Sequence, residues 1–144
     1  MYYSITFDDT NTWSDWRLIP SAPPMVVPPE PYTNYVEIPG RKNGPLDLSE
    51  VLSNAPTYKN SEGSWDFLRE SDGTPRHLLF DAVRKKLHNR QCRIRLEEDK
   101  LHYYIGRLTV QEMKTGRNGL GLTIKYTIPP VRYNLDGTED VSYP

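Results

Sequence analysis

The chain of 144 residues has a single cysteine, Cys92. One thiol makes no intrachain disulfide, and it excludes a structural zinc site built on thiolates. No apolar run approaches the ~20 residues that a membrane-spanning helix needs. The opening residues, MYYSITFDDTNTW, have neither the basic start nor the apolar middle of a secretion signal. An excess of charge of one sign is missing too. Lys and Arg number 18 and Asp and Glu 19, a net charge of −1, with a pI near 6.3. Such a chain has no global field to collect nucleic acid or an anionic membrane. These absences predict one domain, folded in a reducing cytoplasm, and a domain of this length buries about 68–70% of its unfolded surface.

The motifs of catalysis are equally scarce. GRKNG (40–44) and GRNGLG (116–121) are rich in glycine, but neither ends in the Gly-Lys-Ser/Thr that delivers a lysine and a hydroxyl to phosphate and metal. Asn-Gly between apolar runs is a hairpin signal, because both central residues must tolerate positive φ. Ser49, Ser61 and Ser64 stand outside any Gly-x-Ser-x-Gly elbow. His77 and His88 fall on one helical stretch, on the order of 16 Å apart at 1.5 Å rise per residue, so they share no metal, and His102 is remote in sequence. The carboxylates of FDD (7–9) and EEDK (97–100) sit in turns, without the two contrasting environments that acid/base pairs require. Cys92 falls on an apolar strand face and reads as a small buried filler. No catalytic residue, cofactor or metal is expected.

What is present in quantity is tyrosine (10) and proline (13). Tyrosine suits half-buried strands and interfaces. In YYSITF, Tyr3, Ile5 and Phe7 alternate with Tyr2, Ser4 and Thr6 as in a strand, and TWSDWRLI (12–19) reads as a second extended piece. PSAPPMVVPPEP (20–31) is half proline, which rules out an inner strand or a helix. It reads as a polyproline-like segment, either a loop between the sheets of a sandwich or an arm lying on a neighbouring subunit. Residues 34–39 predict a strand entering the 40–44 turn, with PLDLSEVL as a short helical or extended piece after it. GSWDFL (63–68) places Trp65 and Phe67 on one strand face. SDGTPRHLLFDAVRKKLHN carries the one convincing helix. Thr74 is positioned to cap it, Pro75 to start it, and Leu78, Leu79, Ala82, Val83 and Leu87 form its stripe. Lys86 lies inside that arc, so its ammonium must reach the rim.

The last third alternates most clearly. Cys92, Ile94 and Leu96 share a face. Leu101, Tyr103 and Ile105 then give way to Leu108 and Val110, a parity switch at Gly106-Arg107 that predicts an inserted bulge residue. Leu120, Leu122, Ile124, Tyr126 and Ile128 follow without a slip. NLDGTEDVSYP reads as a polar tail, either loose or ordered only by a partner. The pattern predicts a mainly β fold, a β-sandwich or half-open barrel with one α-helix and a C-terminal antiparallel meander. VRKKLHNRQCRIR (83–95) concentrates positive charge but holds no aromatic residue for stacking bases. Basic residues there complement the helix dipole, and the stretch reads as a helix end or an interface charge patch rather than a nucleic-acid site.

Several fragments carry a resemblance. FDD with WSDW, Ile38-Pro39-Gly40-Arg41, Leu46-Asp47-Leu48-Ser49-Glu50, YKN with WDF, and Tyr103-Tyr104-Ile105-Gly106-Arg107 together resemble the N-terminal ring-forming domain of the distal tail (Dit) proteins of long-tailed phages, over about residues 5–133. That resemblance implies a ring domain at 1–133 with a polar tail at 134–144, and a hexameric ring at the end of the tail tube. The ring would join the tube to the hub or tail-tip protein and other baseplate proteins, and leave a channel for DNA and the tape measure. Implied partners are therefore further copies of the chain, the tube protein and the hub protein, with no specific nucleic-acid binding and no membrane. Many relatives continue into a galectin-like domain that this sequence does not reach, and Lys59-Asn60-Ser61 stands where relatives often have Asn-Arg after the tyrosine. Interaction candidates are Arg41, Asp47, Tyr104, Arg107, Val26 and Val27. A carbohydrate-binding sandwich using Trp13, Trp16 and Trp65 as an open platform is the alternative from a different class.

Overall fold

Alternating side chains curl most of the chain into a single antiparallel sheet. The computed structural model describes residues 3–33, 35–36, 39–40, 44, 46–47, 57–69, 75–113 and 121–143. In chain order the elements are β1 (Ile5–Phe7), β2 (Thr10–Asn11), α1 (Thr12–Trp16), β3 (Leu18–Pro20), β4 (Tyr35–Val36), β5 (Leu46–Asp47), β6 (Ser61–Arg69), α2 (Arg76–Leu87), β7 (Arg90–Leu96), β8 (His102–Met113), β9 (Gly121–Ile128) and β10 (Tyr133–Asn134). The main sheet runs β2-β1-β7-β8-β9-β6-β3, with β10 added beside the start of β8. The fold is mainly β, in the half-barrel form of the expectation, and β7-β8-β9 are the predicted meander. β4 and β5 pair antiparallel across the 40–44 turn, where Gly40 and Gly44 both adopt positive φ. Arg41, Lys42 and Asn43 lie outside the described residues.

The inner face of the sheet is the core. Ile5, Phe7, Phe67, Ile94, Leu108, Ile124 and Ile128 are fully buried, each contributing about 1.5–3 kcal/mol by leaving water. α2 closes over this face through Leu79, Val83 and Leu87, one residue per turn. The stripe is narrower than the sequence implies: Leu78 is 52% exposed and Ala82 is exposed as well, because the helix packs mainly on β7 and β8. Thr74 lies outside the described residues, and Pro75 occupies the N-cap position without a side-chain cap.

Three further expectations are corrected. Residues 12–16 form a helical turn instead of an extended piece; only Leu18–Pro20 is strand. Asn11 caps α1, its side chain accepting from the amides of Trp13 and Ser14, while the Asn11 amide donates to Asp15. No slip exists at Gly106-Arg107. β8 pairs β7 from Arg90↔Leu108 to Ile94↔Tyr104, and β9 from Arg107↔Thr127 to Met113↔Gly121, each without interruption. The inward set is Tyr104, Gly106, Leu108 and Val110. Tyr103 is buried on the other face, between Tyr133 of β10 (5.3 Å between ring centroids) and the Arg93 guanidinium (4.6 Å). The tail is also held by its own chain. Arg132 pairs with Asp140, and Tyr143 packs edge-on against Tyr104.

Candidate assembly surface

The proline-rich stretch sets the geometry of one flank. It lies across the core side of its own sheet, as a strap. Proline fixes it extended, so its side chains alternate: Pro24 and Val26 are buried while Met25 and Val27 are exposed. Two aromatic side chains clamp it. Trp65 Nε1 donates to the Met25 carbonyl at 3.0 Å, and the Val27 amide donates to the Tyr126 hydroxyl at 2.9 Å. The two rings stack at 4.3 Å. Gly63 permits this, since a Cβ there would stand 2.4 Å from the Tyr126 hydroxyl oxygen. Burial pushes the Tyr126 phenol pKa up, against the opposing effect of that amide, so the hydroxyl stays neutral. The end of the strap then bonds residues 57–59, with the Lys59 amide on the Glu30 carbonyl and the Tyr32 amide on the Thr57 carbonyl, both 2.7 Å. Between strap and β6 runs a groove of about 590 Å³, lined by Val27, Pro28, Glu30, Tyr32, Glu62 and Lys59, the Lys59 ammonium lying 5.6 Å from the centre of the Tyr32 ring.

The opposite flank is basic. The last turn of α2 carries Arg84, Lys85 and Lys86, where cations complement the partial negative charge of the helix end. A depression of about 410 Å³ there is lined by Lys85, Lys86, Arg90 and Arg107 against the one carboxylate of Asp8. Asn89, in the left-handed conformation, turns the chain from α2 into β7 and accepts from Arg107 Nη1 at 3.0 Å through its carbonyl. Lys86 reaches the rim and meets Asp9 at 2.9 Å. Their mutual hydrogen bond lowers the Asp9 pKa and raises that of Lys86. Cys92 also lines the depression; burial pushes its thiol up to about 11, so it stays protonated and unreactive near neutral pH.

These two flanks stand at one level of the sheet. Gln91 of β7 pairs with Arg107 of β8, Arg107 with Thr127 of β9, and Thr127 with Glu62 of β6. The edge strands cover other levels, since β1 pairs β7 only at 94–96 and β3 pairs β6 only at 67–69. Among the described residues, the row therefore ends in the basic depression at β7 and in the carboxylate-bearing groove at β6. Three strand spacings separate the ends, about 14 Å.

The six interaction candidates fall in different places. Arg107 and Val27 (45% exposed) are on the surface, Arg107 on the outer face of the sheet and Val27 on the strap. Tyr104 and Val26 are core residues, 7% and 9% exposed. Asp47 pairs with Tyr35; its side chain, like the whole of Arg41, lies outside the described residues. The tryptophans form no open platform. Trp65 and Trp16 are buried, and the Arg17 guanidinium covers Trp13 at 5.0 Å. The histidines are dispersed. His88 accepts from the Val110 amide, His102 lies between Asp99 and Asp140, and His77 is exposed. Sequence reasoning missed Glu30, Glu62 and the Tyr126 clamp. The available signal was Gly63 inside a strand, which marks a close approach.

This half-barrel matches a known fold. A solved structure described as the SPP1 Dit protein, a paradigm of the hub adsorption apparatus in phages infecting Gram-positive bacteria, aligns with 93% of the chain at a TM-score of 0.70 and 15% sequence identity. The chain shares that fold. It covers 52% of that SPP1 chain, about half of its length. No protein-family model and no curated protein matches the sequence.

Proposed function

We propose that this chain is a structural ring component of a phage tail or tail-like particle, acting by assembly and not by catalysis. Copies of it form a closed ring, a hexamer by the family resemblance, at the distal end of the tail tube. The ring adapts the tube protein to the hub or tail-tip protein and the surrounding baseplate, and it encloses a channel for DNA and the tape measure. The work of the chain is done in the virion, after folding in the host cytoplasm. Residues 1–133 make the ring domain, and 134–144 are its polar tail, held to it through Asp140 and Tyr143.

The observation that carries this reading is the shared fold with SPP1 Dit along 93% of the chain. The Ile38-Pro39-Gly40-Arg41 and Tyr103-Tyr104-Ile105-Gly106-Arg107 fragments resemble the same family. Near-neutral charge supports it as well, because a basic channel would hold DNA by counterion release instead of letting it pass. Negative-stain imaging and native mass measurement, on the chain alone and mixed with tube and hub proteins, should show a closed ring. A strictly monomeric protein in both settings would refute the proposal.

A further inference from the structure

We infer that neighbouring copies in the ring join edge to edge, the basic β7 edge of one copy against the acidic β6 edge of the next. This rests on the ring reading and specifies its contact. The argument starts from the incomplete edges. At the level of Arg107, the sheet is four strands wide among the described residues; β1 and β3 stop short of that row, and at its β6 end the strap bonds only residues 57–59, before the start of β6. An uncovered strand edge is a template for another chain.

Charge then selects the partner. One end of the row gathers Lys85, Arg90 and Arg107. The other has Glu30 and Glu62 on a groove of about 590 Å³ with Tyr32 and Val27 exposed beside them. A cationic side chain of one copy entering that groove meets the two carboxylates of Glu30 and Glu62 against the one ammonium of Lys59, which already covers the Tyr32 ring at 5.6 Å, and the excess of carboxylate favours arginine and lysine. Two different patches on opposite edges define a heterologous contact, the kind that closes into rings. Identical edges repel, so face-to-face pairing of like edges is disfavoured.

The test uses charge reversal at side chains that hold no internal bond among the described contacts. One variant carries Lys85→Glu and Arg90→Glu, the other Glu30→Lys and Glu62→Lys. Each alone should lose at least about tenfold in ring fraction at matched concentration, since opposed like charges cost several kcal/mol at an interface. An equimolar mixture of the two should recover rings by alternation, and circular dichroism should show both variants folded. Ring formation by the native chain should also weaken as salt shortens the screening length from about 10 Å at 0.1 M to about 3 Å at 1 M. Native rings that persist in both variants, or variants whose mixture gives no rescue, overturn this contact and leave the ring itself standing. A native chain that forms no ring with tube and hub removes both.

Discussion

Gly106→Ala is the sharpest test of the core. The added Cβ would stand 2.6 Å from Ile128 Cγ1, 3.0 Å from the Thr127 carbonyl oxygen and 3.4 Å from Ile94 Cδ1. Carbon atoms at rest prefer about 3.5–4.0 Å, so the first contact is repulsive by most of an ångström. Neither neighbour retreats easily. Cγ1 is the inner branch carbon of a fully buried isoleucine, and the Thr127 backbone is fixed in the ladder opposite Arg107. Overpacking of this kind costs about 1–3 kcal/mol. Replacing glycine also narrows the unfolded ensemble, returning about 0.4–1 kcal/mol. The clash wins, with a net loss of about 1–2 kcal/mol; for an urea m-value near ~2 kcal/mol/M this is a midpoint lower by about 0.5–1 M. The partner is checked by Ile128→Ala, which alone should cost about 2–5 kcal/mol. With Cγ1 gone, Gly106→Ala loses its main obstacle, so the double variant should be more stable than the sum of the singles by about 1 kcal/mol. An unchanged midpoint, or strict additivity, would show that the inward set of β8 is misassigned.

Tyr126→Phe should cost about 0.5–1.5 kcal/mol through the lost hydrogen bond to the Val27 amide. Hydrogen exchange should speed up at Val27 ahead of the β9 amides; equal protection in both proteins would mean that the strap is held elsewhere. Leu87→Ala should destabilise by about 2–5 kcal/mol, whereas Leu78→Ala should stay within about 0.5 kcal/mol, since Leu87 is fully buried and Leu78 is 52% exposed; similar losses in urea melts would restore the wider stripe. The Ser142 hydroxyl and then the Arg132 guanidinium hold the Asp140 carboxyl down at about 2, below its usual 3.8. A depressed carboxylate stabilises above its unfolded pKa and loses that contribution as pH falls, so the Tyr143 NMR signals should shift towards those of a loosened tail between about pH 3.8 and 2. Asp140→Asn should abolish that transition, and its persistence in the variant would assign it to another group.

How much of this was legible in the sequence depended on whether a side chain reported its own direction. β6, β7 and β9 alternate apolar with polar residues, so their inward faces were plain. β8 was misread because its core contains Gly106, which has no side chain to count, and because Tyr103, apolar in pattern, is covered by Tyr133 on the other face. α1 was hidden by length. Five residues with two tryptophans give no period, and the one usable sign was Asn11 with Asp15 four positions later, the two halves of a reciprocal cap. The prolines told that residues 20–31 are extended, but nothing in them says which surface an extended segment lies on. That depends on Trp65 and Tyr126, more than thirty residues away. The candidate surface was half visible: the basic run from 84 to 95 stands out in the sequence, while Glu30 and Glu62 come together only through the fold.

The placement of these charges has a consequence for how copies can meet. A half-barrel whose β7 and β6 edges are only partly paired among the described residues has three ways to pair with itself, β7 to β7, β6 to β6, or β7 to β6. Backbone hydrogen bonding alone does not distinguish them strongly, because any uncovered strand offers the same amides and carbonyls. The first pairing sets Lys85 and Arg90 against their own copies, and the second sets Glu30 and Glu62 against theirs. Both are penalised at short range, where screening at physiological salt, with its length of about 8 Å, is least effective. Only the mixed pairing joins opposite signs. It leaves each end of a growing chain able to accept another copy, until the first and last meet. In the proposed ring, the edge charges thus select which edges meet more than how tightly they hold. Reversing one edge changes which pairing is allowed, and this is why a mixture of two reversed proteins is expected to succeed where either one fails.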